Sequence, residues 1–194
     1  MSSMCPRGSR GVTLVELIVF IVIVGVAMAG LFAAFNTITA ASADPQVRKQ
    51  VLAIAESLMD EIALKPFTFC DPDDANAATA GPGGCAVAAN NEDTTMGPEG
   101  GETRYGSPQF DNVSDYHGFA LPTPPGIKDI TGALISGLDG YSATVTVSQA
   151  GLGALANAIP AADALRISVT VTGPSGVSIA LEGYRTRYAP NTLP

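Results

Sequence analysis

Tryptophan is absent from this chain of 194 residues, histidine occurs once, and Lys and Arg number 10 against 18 Asp and Glu. The shortage of basic residues is sharper downstream, where residues 66–194 hold five Lys or Arg against thirteen Asp or Glu. A domain this acidic has no basic stripe to neutralise a phosphate backbone, so nucleic acid is not an expected partner. The single histidine, His117, lies in Asp115-Tyr116-His117-Gly118, a context that reads as a structural loop residue and not as a general base. No serine stands in a nucleophile-elbow pattern, and no glycine cluster follows a strand and opens a helix. The expectation is a protein that is not an enzyme and holds no cofactor. Cysteine is scarce too, with three residues. Two cysteines and one distant histidine do not supply four zinc ligands at zinc spacing. Cys70 and Cys85 are an even pair suited to a disulfide in an oxidising compartment, and two free thiols in a reducing one.

Against these absences stands one long apolar run. From Val12 to Phe35 the only charge is Glu16. About 24 residues at ~1.5 Å rise span ~36 Å, more than the ~30 Å hydrocarbon core of a bilayer. Arg7 and Arg10 precede the run, so the short N-terminal side is expected to stay cytoplasmic and the remainder to be exported. A secretory signal has a shorter apolar region with a small-residue exit, which Ala40-Ala41-Ser42-Ala43 could mimic. A plain signal anchor with an incidental glutamate is the other alternative. An ionisable side chain inside such a segment is expensive and is a functional residue by default.

Beyond the run, Asp44-Pro45 punctuates the helix, and two half-helices with a kink or break near Ser42 to Pro45 are expected. Val47, Val51, Ile54, Leu58 and Ile62 then recur at helical spacing, with Arg48, Lys49, Glu56, Asp60 and Glu61 mostly on the other faces. Pro66 ends the pattern near Leu64. Phe67 to about Pro125 is rich in Gly, Pro, Asn, Asp and Ala and reads as a long irregular connection, in which a Cys70–Cys85 bond would close a loop. Residues 141–148, 165–172 and 177–182 alternate apolar and polar, which predicts three strands with one buried face. Gly173-Pro174-Ser175-Gly176 joins the last two as a hairpin. The stripe from Val47 to Ile62 is the available cover for that face. The expected fold class is α+β: a long helix on an antiparallel sheet of three or more strands, with a long irregular loop.

Asp71, Asp73 and Asp74 hint at calcium, but Ala75 and Pro82 fall where the fifth and twelfth positions of an EF-hand loop need ligands. A looser site including Asp111 and Asp115 is the alternative to solvated acidic loop residues, and the expectation is no metal. Phe110, Tyr116 and Phe119 are expected to pin the loop to the core while Asp111 and Asp115 accept backbone amides.

At Gly11 the pattern becomes specific. Gly11, Val12, Thr13, Leu14, Val15 and Glu16, after a short basic leader, resemble the processing site of type IV prepilins and type II secretion pseudopilins. The resemblance implies cleavage after Gly11 by a prepilin peptidase and N-methylation of Val12, which stands where the family usually has phenylalanine. Residues 1–11, with Cys5, would be a cleaved leader, 12–35 a transmembrane and polymerisation helix, 36–65 an amphipathic helix, and 66–194 an extracytoplasmic pilin domain. Glu16 would meet the amino terminus of a neighbouring subunit. The implied partners are other pilin or pseudopilin subunits, the inner-membrane assembly machinery and the inner membrane, before transfer to a pilus or pseudopilus. The bacterial context gives the Asn112-Val113-Ser114 glycosylation pattern little weight. Ala55 to Ile62, Phe110 to Phe119, Asp129 to Gly132 and Leu138 to Tyr141 resemble minor pilins of the mannose-sensitive haemagglutinin (MSHA) pilus. A minor pseudopilin and a membrane-tethered adhesin are the alternative expectations.

Overall fold

The computed structural model describes residues 11–153 and 158–187, without the side chains of residues 36–44 and 175. The leader residues Cys5, Arg7 and Arg10 lie outside the described residues. Contacts divide the chain into two units, Met1–Pro45 and Gln46–Pro194.

One helix, α1, runs from Leu14 to Ala63. Thr13 starts it: the Glu16 amide donates to Thr13 Oγ1 at 3.3 Å and the Leu17 amide to the Thr13 carbonyl at 3.2 Å. The first satisfies an amide that a helix start leaves without an intrahelical partner, and the second is the first bond of the helical ladder. Of the kink or break expected near Ser42 to Pro45, the break is corrected, because Pro45 lies inside the helix. Proline removes one amide donor and crowds one carbonyl, and strong helix formers on both sides sustain the remaining ladder. The first unit contains the membrane-length segment Leu14–Phe35, which buries nothing against the chain itself. Its leucine, isoleucine, valine and phenylalanine side chains point outward all round.

In the second unit the alternating segments become strands β2 (Ser142–Gln149), β3 (Ala164–Thr172) and β4 (Ser178–Thr186). A two-residue strand, β1 (Ala120–Leu121), pairs with β2. The sheet is antiparallel throughout in the order β1-β2-β3-β4. Val145 opposes Val169, which opposes Leu181, so one face is apolar across the three long strands. Val51, Ile54, Ala55, Leu58 and Ile62 of α1 form one buried cluster with Ala143, Val145, Val147, Leu165, Ile167, Val169 and Val171. Helix and sheet meet closely at Gly173, where an added Cβ would sit 2.8 Å from Val51 and 2.9 Å from Tyr141. Tyr141 also donates its hydroxyl to Gln50 on α1.

Between α1 and β2 the chain makes short 3-10 turns and isolated bridges. Side chains and one covalent bond order it. Cys70 and Cys85 are joined, with Cα atoms 5.5 Å apart and a sequence separation of 15. Phe110, Tyr116 and Phe119 pack edge to face, with Phe110 and Tyr116 centroids 5.0 Å apart. The Asp115 carboxylate accepts the Asp111 and Asn112 amides at 2.8 and 2.7 Å. Closing a loop of this length is worth roughly 3 kcal/mol in the chain-entropy model. The Cys70→Ala, Cys85→Ala double variant is therefore expected to unfold at lower denaturant by about that amount. A urea titration reads it, and an unchanged midpoint would contradict the ordering role.

Candidate functional site

Two arrangements carry chemistry outside ordinary core packing. The first is the helix start. Thr13-Leu14-Val15-Glu16 has the form of a capping box, Thr-x-x-Glu before an apolar run, and Thr13 supplies the acceptor that the Glu16 amide needs. This role for Thr13 was readable from the sequence and was not among the expected site residues. Glu16 is the acidic residue of the first turn, where a negative charge also complements the helix dipole. Gly11, Val12 and Glu16 thus stand together at the exposed end of an apolar helix whose surface has no cover within its own unit. Apolar area of this extent is stable only in lipid or against other protein.

The second arrangement lies within the long loop. Asp71, Asp73, Glu102 and Asp111 bring carboxylate oxygens within 4.8 Å of one another, as do Asp71, Glu92 and Glu99, and Glu99, Glu102 and Asp115. The three groups share members, so they form one continuous cluster. Of the acidic residues singled out in the sequence, Asp71, Asp73, Asp111 and Asp115 meet here. Asp74 does not: it accepts the Asn76 and Ala86 amides at 2.8 and 2.9 Å and the Val87 amide at 3.0 Å. Those amides, Ala86 first, hold its carboxyl below the ordinary value. Glu92, Glu99 and Glu102 complete the cluster and were missed, because no local spacing connects them to Asp71.

Burial dominates the electrostatics. It pushes Glu92 up to about 10, against the Ser114 hydroxyl bond and with the Asp115 and Glu99 charges adding to it. It pushes Glu102 up to about 9, helped by the charges of Asp115, Asp71 and Asp111. Glu99 rises to about 7 and Asp111 to about 7 for the same reason, and Asp115 to about 6 against its two amide bonds. The facing groups are these carboxylates with Asp71 and Asp73, and one cation, Lys65, which opposes the rise at Asp111 and Asp115. All five folded values lie above the ordinary 3.8 or 4.5, so the folded state holds more protons than the unfolded one. That contribution to stability is fully present below the unfolded values and is lost as pH rises through the folded ones. With a chelator present, the melting temperature is expected to fall steadily from about pH 5 to pH 9. A flat or rising profile would contradict this electrostatic picture.

A third feature ties the loop to the helix. Arg104 forks onto Glu61 of α1 at 2.8 and 2.6 Å, and Tyr116 donates to the same carboxylate at 2.7 Å. Glu61, expected on a solvent face, is therefore half-buried in a network. Burial pushes its carboxyl up, but the bonds from Arg104 and Tyr116 outweigh that and hold it below the ordinary value. His117 is exposed, with Nδ1 2.7 Å from the Val147 carbonyl, which makes it a tether to β2. Asn112 is buried and donates to Thr68 Oγ1 at 2.6 Å, so its amide does not present an acceptor site for a glycan.

The prokaryotic N-terminal methylation motif matches residues 6–32. No curated protein and no solved structure matches the chain. The motif implies processing by prepilin peptidase and assembly with other pilins, and together with the apolar helix it fits inner-membrane anchoring. Over residues 6–32 the chain is thus similar to proteins that carry the prokaryotic N-terminal methylation motif, the feature of type IV prepilins, here set on a long apolar helix with a four-stranded antiparallel sheet downstream.

Proposed function

We propose that this protein is a minor type IV pilin, of the MSHA kind and the MshD type, whose work is assembly or priming of the pilus. The observation that carries the reading is the uncovered apolar helix headed by Gly11, Val12, Thr13 and Glu16. Cleavage after Gly11 frees a cationic amine at Val12, four residues from Glu16, which is about one helical turn. Within one subunit that amine lies near its own glutamate. In a filament, the carboxylate of one helix meets the methylated amine of the next, and a subunit out of register leaves a charge buried without a partner. The role is structural, with no catalytic step. Before assembly the helix anchors the chain in the inner membrane, amino end cytoplasmic and domain outside.

The mid-domain position of Cys70–Cys85, away from the C-terminal strands, favours a minor over a major subunit. Deletion of the gene tests the reading. Loss of surface pili, restored by the wild-type gene, is the expected outcome. Normal pili with lost attachment would make the protein an adhesin, and normal pili with lost protein secretion would make it a pseudopilin; either result overturns the proposal.

A further inference from the structure

We propose that the acidic cluster of the loop is a calcium site, formed by Asp71, Glu92, Glu99, Glu102, Asp111 and Asp115, with Asp73 at its exposed rim. The inference stands on the geometry of the second unit and is independent of the filament to which the chain belongs.

Three observations point to a cation. The first is that buried carboxyl oxygens face one another with no donor from outside the cluster. Beyond its contact with Glu92 and its own amide, neither oxygen of Glu99 has a hydrogen-bond partner, and the residue is 8% exposed. Glu102 Oε2 has none at 6% exposure, and Glu92 Oε1 and Asp115 Oδ1 have none at 0%. A charge removed from water needs a counter-charge or a full set of hydrogen bonds. The second observation is that no basic side chain forms an ion pair with the cluster, although the charge of Lys65 acts on Asp111 and Asp115. Among the described residues the ion pairs are Arg104–Glu61, Arg166–Glu182 and Arg187–Asp93, none of which includes a cluster member. Lys65 directs its ammonium at the Phe110 carbonyl, 2.7 Å away.

The third observation is the spacing. In each of the three groups the oxygens lie within 4.8 Å of one another. Oxygens on opposite sides of a calcium ion, each ~2.3–2.6 Å from it, are about 5 Å apart, so each group has the dimensions of a calcium coordination sphere. Magnesium, with ligands at ~2.0–2.1 Å and a preference for retained water, suits this dense carboxylate set less well. The donors are all oxygen, with no imidazole or thiolate among them, which selects a hard cation over zinc or copper. Asp71, Glu99 and Glu102 each belong to two groups, so they are the carboxylates positioned to bridge.

The ligands come from four stretches of the loop: the residue after Cys70, Glu92, the turn from Glu99 to Glu102, and the segment from Asp111 to Asp115. Each group joins two or three of these stretches, so calcium held through the shared carboxylates would tie all four together, and its binding energy would be folding energy for the least regular part of the domain.

Full-length protein in detergent micelles, titrated with CaCl2 in a calorimeter and melted by circular dichroism in calcium, magnesium or EGTA, tests the site. The expected result is saturable calcium binding with Kd in the range of roughly 10⁻⁶–10⁻³ M. Calcium is also expected to raise the melting temperature by about 5 °C or more over EGTA, with magnesium giving little of that rise. Glu99→Gln should weaken binding at least about tenfold and Asp73→Asn by a few fold, while Asp139→Asn, an exposed acid away from the cluster, leaves it unchanged. Asp73→Asn, at the rim, keeps the test decisive if the buried variant fails to fold. The proposal is overturned if a folded chain shows no calcium heat and one melting temperature in calcium and EGTA. It is equally overturned if Asp73→Asn and Asp139→Asn behave alike.

Discussion

Replacing Arg104 with alanine lowers the unfolding free energy by about 3–5 kcal/mol, which for a domain of this size lowers the melting temperature by roughly 10 °C. Arg104 is 5% exposed and Glu61 20%. The guanidinium makes a two-pronged bond to Glu61 and also donates to the carbonyls of Lys128 and Asp129, each at 3.2 Å. It stacks over Tyr105 and Phe119, 5.2 and 5.6 Å from their ring centroids. Truncation leaves the Glu61 carboxylate with the Tyr116 hydroxyl as its remaining donor and strips two carbonyls of theirs. An exposed pair would be worth under ~1 kcal/mol, so the size of the loss separates a structural tie from surface decoration. Arg104→Lys restores charge but not the fork and should recover only part of the loss. Arg104→Met with Glu61→Leu should be less damaging than Arg104→Met alone, because no orphaned charge remains. Chemical denaturation of the four variants measures this, and a loss below ~1 kcal/mol for Arg104→Ala contradicts it.

The second large effect is at Glu16. Glu16→Leu should reduce the amount of subunit in sheared pili by roughly two to three orders of magnitude, the equivalent of about 3–5 kcal/mol for breaking a desolvated charge pair. The competing explanation is local. Glu16 lies in the first turn of α1 and favours the helix dipole, an effect worth ~0.3–1 kcal/mol, or less than tenfold. Glu16→Gln separates the two, because it preserves size and hydrogen-bonding capacity at the helix start while removing the charge. The assembly account predicts that Glu16→Gln fails nearly as badly as Glu16→Leu. Incorporation at the wild-type level, measured as subunit per pilus with equal amounts in the membrane, would return Glu16 to a capping role.

What could be read in advance follows from the range of each signal. The stripe Val51, Ile54, Leu58 and Ile62 and the alternation through β2, β3 and β4 are periodic over many residues, and both led to the observed core. β1, two residues long, has no period to detect. Pro45 carried a local signal for a helix end, and the helix formers around it carried the ladder past it. Glu61 and Arg104 are 43 residues apart, and no spacing rule joins them. The same holds for Glu92, Glu99 and Glu102, whose meeting with Asp71 depends on how an irregular loop folds back on itself. Asp71, Asp73 and Asp74 looked alike as a run, yet one turn separates their fates: Asp74 caps backbone amides and the other two join the cluster. Thr13 was the opposite case, a local signal available in the sequence and fulfilled by the Glu16 amide.

The central claim is that this chain is cut after Gly11 and built into a filament through its first helix. Intact-mass and peptide mass spectrometry of purified, sheared pili tests it in one step. The account predicts a subunit that begins at Val12, carries one methyl group on that amine, and keeps Cys70 and Cys85 joined. A chain absent from purified pili, or present with any other amino terminus, would contradict it.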